Sequence, residues 1–369
     1  MDGGGIMKTS KNLIGKVASF ENLHRAYLKA RKGKSGSAEA LLFGYNLETE
    51  LLLLQRELLG GDFCTGKYRN FTVFEPKRRV ISALPFRDRV AQHAICAIIE
   101  PIFERKFIAG SYACRKGKGT HKAVRRLKAF ISSAGASCQS ANSVGAAGEA
   151  LPLRKGGSAG ACGAKAPYVL KCDIRKYFAS VDHGILKKLV RRKIGCRALL
   201  AALDNIIDSF RQGIPIGNLT SQLFANIYLT ELDHHITGAL RQRRYLRYMD
   251  DFVLVSCSKK RLHEAKGNIS SFLGKLGLAL HGAKAAAFPA ACGTPFLGYV
   301  VRATHTTPKR RTVMRFVRRM KAKIRGYGGG RLPFPKLLES FNSWGAYLSH
   351  SRSFLLGRSI CANNFRNVM

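Results

Sequence analysis

Asp250 and Asp251 stand side by side between an apolar-aromatic run, Arg244-Tyr245-Leu246-Arg247-Tyr248-Met249, and a β-rich run, Phe252-Val253-Leu254-Val255. Two neighbouring anions on rigid strands repel, so the pair makes chemical sense if divalent cations neutralise it. Paired metal ions are the device of phosphoryl-transfer sites. An Asp-Asp pair in an arbitrary turn is ordinarily solvated and does nothing, so the reading depends on what the rest of the chain offers. Asp173 ends the strand pattern Tyr168-Val169-Leu170-Lys171-Cys172-Asp173-Ile174 and is a candidate third carboxylate. Asp182 is better explained as the N-cap of a helix carrying Ile185, Leu186, Leu189, Val190 and Ile194 and stopped by Gly195.

These residues need elements to hold them. The runs on either side of Asp250 and Asp251 predict a β-hairpin with the carboxylates at its turn. Gly213-Ile214-Pro215-Ile216-Gly217-Asn218 predicts a turn, followed by an amphipathic helix from about Thr220 to Ile236. Farther upstream, two β-like runs in 71–85 flank Pro76-Lys77-Arg78-Arg79, which puts cations at or near a hairpin tip. Arginine's planar fork suits phosphate oxygens, so that hairpin is a candidate clamp for a nucleotide. Helical spacing resumes at Phe86 and runs to Pro101, with Arg87 and Arg89 in its first turn as candidate nucleic-acid contacts.

Residues 11–60 read as helices around a basic loop at 30–36. Ser111 to His121 is basic and Gly-rich but fails the phosphate-loop pattern, so Arg115, Lys116 and Lys118 are expected to follow a nucleic-acid backbone. From 132 to 167 the composition collapses to Gly, Ala and Ser, which predicts a flexible insert without chemistry. From about Lys309 the chain is basic and helical, with Phe316, Met320 and Ile324 on one face. The glycines from Gly326 are expected to break that helix before a second one at about 337–349.

Sixty-three Lys and Arg face 22 Asp and Glu, a net charge of +41 spread over nearly the whole chain. Such self-repulsion opposes compaction unless a polyanion relieves it, which points to a long nucleic-acid surface. The hydrophobic share of 46% argues for a folded core. No apolar run approaches the roughly 18 residues of a membrane span, and the first residues lack a signal peptide's apolar core. Met7 offers a second possible start. The ten Cys show no metal-finger spacing, so free thiols in a reducing cytosol are expected and zinc is not.

Five blocks, in order, resemble a prokaryotic reverse transcriptase: the basic hairpin with Pro85-Phe86-Arg87-Asp88-Arg89, the Asp173 strand, the Gly217 turn and helix, Tyr248-Met249-Asp250-Asp251, and Phe296-Leu297-Gly298-Tyr299. The resemblance covers roughly 15–350, apart from the insert. Within that superfamily the chain is most similar to the reverse transcriptases of diversity-generating retroelements. Ile216-Gly217 stands where Gln-Gly is usual and Ser221-Gln222 where Ser-Pro is usual. Phe20-Glu21-Asn22-Leu23 and Ser111-Tyr112-Ala113-Cys114-Arg115 also fit.

The resemblance implies an α+β right-hand polymerase with an antiparallel palm sheet packed on helices. Its parts would be an N-terminal helical extension (1–60), fingers (61–131), the insert (132–167), a palm (168–300) and a helical thumb (301–369). It implies RNA-directed DNA synthesis from a dedicated template RNA, a primer strand and dNTPs, in a prokaryotic or phage-encoded cytoplasmic setting. A small basic accessory protein is the implied partner, with no membrane. Asp173, Asp250 and Asp251, with the Ile174 carbonyl, would hold two Mg2+ ions. Lys77, Arg78 and Arg79 would clamp the triphosphate, and Phe178 would exclude a 2′-hydroxyl. Lys284 would lie near the pyrophosphate, although Ala285 replaces the usual neighbour. Ile216, Gly217 and Gln222 would border the nucleotide. An Ile where Gln is usual can only pack, which loosens base discrimination and fits the subgroup's errors at template adenines. A compact group II intron, retron or defence-associated reverse transcriptase is the alternative. A non-catalytic RNA-binding protein on a polymerase scaffold is the alternative from another class.

Overall fold

The computed structural model describes residues 9–74, 78–143 and 166–365. Two compact units interleave along the chain. One comprises 1–115, 173–242 and 267–282; the other comprises 116–172, 243–266 and 283–369.

The first unit is mainly helical. It opens with α1 Ile14–Val17, α2 Phe20–Arg31, α3 Ala38–Tyr45 and α4 Leu47–Gly60. Ser19 and Ser37 start α2 and α3 by accepting the N–H groups of Asn22 and Ala40, which would otherwise have no partner in the first turn. Leu51, Leu54 and Leu58, at helical spacing, form the buried face of α4. Strands β1 Arg69–Val73 and β2 Arg79–Ala83 then pair antiparallel, with Val73 opposite Arg79. Residues 75–77 between them fall outside the described residues, and the candidate Lys77 with them. Helix α5 Phe86–Glu104 follows, and after it come α7 Tyr177–Ser180, α8 His183–Arg191, α9 Arg197–Asp208 and α10 Leu219–His234. Asp182 caps α8 as expected, its Oδ1 taking the Ile185 N–H at 2.8 Å.

The second unit is built on a four-stranded sheet of order β4–β5–β3–β6: β4 Tyr245–Tyr248, β5 Asp251–Ser256, β3 Tyr168–Asp173 and β6 Ala286–Pro289. β4 and β5 run antiparallel, as do β3 and β6. Helix α6 Thr120–Ser143 precedes the sheet in the chain, and α11 Lys259–Lys275 leaves it. A meander of β7 Thr294–Phe296, β8 Tyr299–Val301 and β9 Thr306–Pro308 leads into α12 Arg310–Gly328, α13 Phe334–Leu348 and α14 Phe354–Phe365. Phe316 stacks on Trp344 at 4.1 Å, and Met320, Leu337, Leu348 and Ile360 complete that helical core. The fold is α+β with antiparallel sheets.

Three expectations change. Helix α6 runs on to Ser143, into the stretch expected to be a flexible insert. Alanine is the best helix former, and Ala134 and Cys138 bury a face of this segment, so sparse large side chains did not prevent order there. Residues 144–165 of the expected insert lie outside the described residues. The cysteines are not all free, because Cys138 and Cys257 form a disulfide across a Cα–Cα distance of 5.9 Å. Helix α12 absorbs Gly326 and Gly328 and ends only at Gly329, since its apolar face packed on Trp344 outweighs the roughly 1 kcal/mol each glycine costs.

Candidate active site

Tyr248 pairs with Asp251, which leaves a two-residue turn of Met249 and Asp250. Met249 sits at φ 57, a left-handed conformation that non-glycine residues rarely adopt. Arg247, fully buried, donates from Nη1 to the Met249 carbonyl at 3.2 Å and braces that turn. Tyr245, Leu246, Phe252, Val253 and Leu254 are buried, so both strands are anchored while Asp250 and Asp251 stay half-buried. The tight hairpin predicted from sequence is therefore present, held rigidly and with strain at its tip.

Two cations meet this turn that sequence reasoning missed. Lys171 of β3 lies with Nζ 3.2 Å from Asp251 Oδ2. Burial, and next the Lys171 ammonium, hold the Lys309 ammonium below its ordinary pKa, while Asp251 pulls it up. Asp173 ends β3 two residues beyond Lys171, on the same face of the strand. Only that spacing could have flagged Lys171; nothing local flagged Lys309. An ammonium on Asp251 demonstrates that the position takes a positive partner, and carboxylate oxygens are the donors a hard divalent ion prefers. Among the described residues, no three His, Cys, Asp or Glu side chains are grouped closely enough to hold one ion.

Beyond β3, Ile174 bridges Leu280 through the bonds Arg175 N–H to Ala279 O, at 2.8 Å, and His281 N–H to Asp173 O, at 2.7 Å. Neither bond uses Ile174's own carbonyl, which points away from this ladder. Phe178 is half-buried edge-on to the buried Tyr177, and its carbonyl takes the Ile214 N–H at 2.8 Å. The aromatic is thus tied directly to the turn that carries Ile216 and Gly217.

That turn is stitched to the basic hairpin, because the Ser82 N–H of β2 donates to the Ile216 carbonyl at 3.1 Å. Gly217 adopts φ 123, and a Cβ there would stand 2.9 Å from Ile81 Cγ2. Glycine is required twice over, by backbone angle and by space. A cavity of about 320 Å³ opens beside it, with Lys34, Arg69 and Arg89 in its wall. Gln92 lines it too, and its buried Nε2 has no hydrogen-bond partner among the described residues. Sequence reasoning passed over Gln92 because one amide in a helix carries no local signal. Arg78 and Arg79 are exposed at the hairpin's end.

Several predicted contacts are corrected. The Arg115 guanidinium is turned inward: it is buried, bonded to both oxygens of Glu104 and to the carbonyls of Ile108 and Ser111, and lies over the Phe107 ring, whereas the sequence predicts it on a nucleic-acid backbone. Arg87 faces inward to Glu57 and Asp88, so its charge is already matched. Lys116 is exposed and Lys118 half-buried. Gln222 lines a separate cavity of about 40 Å³ with Glu100, Glu104 and Cys114, not the one beside Gly217. Lys284 is exposed at the end of a short 3-10 turn, Gly282–Lys284.

The turn thus presents a half-buried carboxylate pair on a strained two-residue tip, with the Lys171 ammonium on Asp251. The family model for reverse transcriptase (RNA-dependent DNA polymerase) matches residues 72–301, and the chain belongs to that family. Protein YkfC of Escherichia coli (strain K12) is 27% identical over 264 residues, covering 59% of this chain and 62% of that protein. Nuclear intron maturase 2, mitochondrial, of Arabidopsis thaliana is 29% identical over 139 residues, 33% of this chain and 19% of that one. The chain spans less than two thirds of either relative's length. Among solved structures, apo telomerase from Candida tropicalis superposes with a TM-score of 0.47 at 13% identity, over 68% of this chain and 49% of that chain. Telomerase from Candida albicans in complex with a TWJ fragment of telomeric RNA gives 0.43 at 10% identity, over 70% and 50%. No helix among the described residues is long and apolar enough to cross a membrane.

Proposed function

We propose that this chain is the error-prone RNA-directed DNA polymerase of a diversity-generating retroelement, copying a dedicated template RNA with the help of a small basic accessory protein. The polymerase part rests on family membership and on the carboxylate turn. Asp250 and Asp251 would hold Mg2+; Asp173 and the Ile174 carbonyl are the further ligands that the family resemblance implies for a pair of ions, although the described side chains do not gather into a three-carboxylate group. When bound, those ions supply an activated primer hydroxyl and a stabilised pyrophosphate leaving group. The chain's own residues do the rest. Arg78 and Arg79 grip the triphosphate, Phe178 packs against the sugar and turns away a 2′-hydroxyl, and Arg247 keeps the turn in register.

The observation that carries the subgroup reading is Ile216, whose carbonyl is bonded to the basic hairpin while its aliphatic side chain can make no hydrogen bond. A pocket without that polar constraint rejects mismatches weakly. Ile216→Gln should lower errors at template adenines when cDNA from the two enzymes is sequenced, and an unchanged adenine error rate would count against the reading. Primer extension on an RNA template with Mg2+ tests the polymerase part separately. The partial match to an intron maturase favours a second reading, a compact intron-type enzyme. A template/variable repeat pair beside the gene decides between them.

A further inference from the structure

Helices α3 and α4 carry a surface unlike the rest of the chain. Between Ala38 and Asp62 stand Glu39, Glu48, Glu50, Glu57 and Asp62 against a single base, Arg56, in a chain of net charge +41. Two of these acids serve inside the unit: Glu57 pairs with Arg87, and Glu39 accepts the Phe86 N–H at the start of α5. Glu48 and Asp62 are exposed and Glu50 half-buried.

The same helices are apolar on the outside. Ala40 and Phe43 bury the inner side of α3, while Leu41, Leu42 and Tyr45 on its other side are 57%, 72% and 88% exposed. Their spacing puts all three on one outward stripe. Leu52, Leu53 and Leu59 are exposed along α4. A helix that buries one apolar stripe and displays another leaves apolar surface in water that a second partner would cover favourably.

The charge pattern selects the occupant, and we infer that this face docks a separate protein whose contact surface is basic with an apolar centre. A polynucleotide is disfavoured because carboxylates repel phosphates and the leucines offer bases neither a hydrogen bond nor a stacking face, which leaves Tyr45 alone among these exposed side chains able to stack on a base. A second copy would bring a further +41, and an acidic face meeting a different, basic face makes a heterologous contact that need not close. Local acids can still attract a basic partner, because charges farther off than roughly 8 Å are largely screened at physiological salt. The inference rests on the earlier reading only in expecting a basic protein partner, and on nothing in its catalytic part.

The test uses a fluorescent synthetic peptide, an amphipathic helix with one leucine face and one lysine face, read by anisotropy against the full chain. It should bind the wild type, and a version with glutamates for lysines should not. The double variant Leu42→Lys/Tyr45→Lys should weaken binding at least about tenfold, from two lost apolar contacts. Leu53→Lys repeats the measurement on α4 should the double variant misfold. Glu48→Lys/Glu50→Lys should weaken binding and flatten its salt dependence. Equal affinity in the variants would overturn the inference. So would self-association of the wild type that the double variant abolishes, or protection of 38–60 from hydrogen exchange by RNA alone. Primer extension on the same samples should be unchanged, and its absence from the wild type would sink the polymerase reading while leaving this test intact.

Discussion

The β4–β5 turn holds its carboxylates on strands whose remaining residues are almost all buried, with Arg247 bracing the tip from below. The β1–β2 hairpin has opposite surroundings: Arg69, Asn70, Phe71, Val73, Arg79 and Val80 are all exposed, and its cations stand at the open end. On the proposed reading the difference has a reason: reacting charge needs fixed geometry and would be set in a packed sheet, whereas a clamp that meets a ligand arriving from solvent would keep its cations exposed. The contrast extends to residues of one type. Arg79 is exposed on the hairpin, while Arg115 is buried in a web of acceptors and holds the end of α5 to the loop that follows it.

The sharpest break of this comparison is Asp250→Asn. If the turn carries the chemistry, primer extension should fall by roughly a thousandfold with melting temperature nearly unchanged. Full-speed synthesis would remove the turn from the mechanism. Next, Arg79→Ala should raise KM for dNTP by roughly tenfold and leave kcat close to wild type, as steady-state extension at varied dNTP would report. A fall in kcat alone would move Arg79 from clamp to catalysis. Arg115→Leu should do the reverse. It should cost about 2 to 3 kcal/mol of stability in denaturant unfolding, by leaving acceptors unsatisfied, with KM for dNTP unchanged. A raised KM with intact stability would restore Arg115 as a ligand.

The smallest expected effect concerns Asp88, a buried carboxyl on α5. Burial pushes its pKa up, against the Gly66 N–H and Arg87, which pull it down. The folded state therefore holds this proton more tightly than the unfolded state. Its contribution to stability is complete below the unfolded value of 3.8 and is lost as pH rises through the folded pKa. Asp88→Asn keeps an acceptor for Gly66 and removes the buried charge. It should raise stability at neutral pH by on the order of 1 kcal/mol or less, with the difference vanishing in acid. A loss of stability at neutral pH would mean that Arg87 outweighs burial.

The hairpins were legible before the structure because their signals are local. Alternation around a carboxylate pair, and cations between two β-like runs, need no knowledge of distant residues. The same holds for the Asp182 cap, which the helix beginning at the next residue explains. Arg87 and Arg115 were misassigned because a basic residue in a basic chain looks the same whether it faces solvent or Glu57 and Glu104. The end of α6 was missed because composition does not reveal that Ser133 and Cys138 meet Arg244 and Cys257, more than a hundred residues away.

By itself, then, the sequence determined the family, the α+β class, the carboxylate turn and the cations of the hairpin, since each is written in residue types at short spacing. Only the tertiary structure decided which cations are spoken for, that Lys171 pairs with Asp251 and that Lys309 lies within the field of that carboxylate. It alone tied Ile216 to Ser82 and turned the leucines of α3 and α4 outward. Those facts depend on which side chains meet across the chain, and burial and pairing between distant residues leave no trace in local pattern.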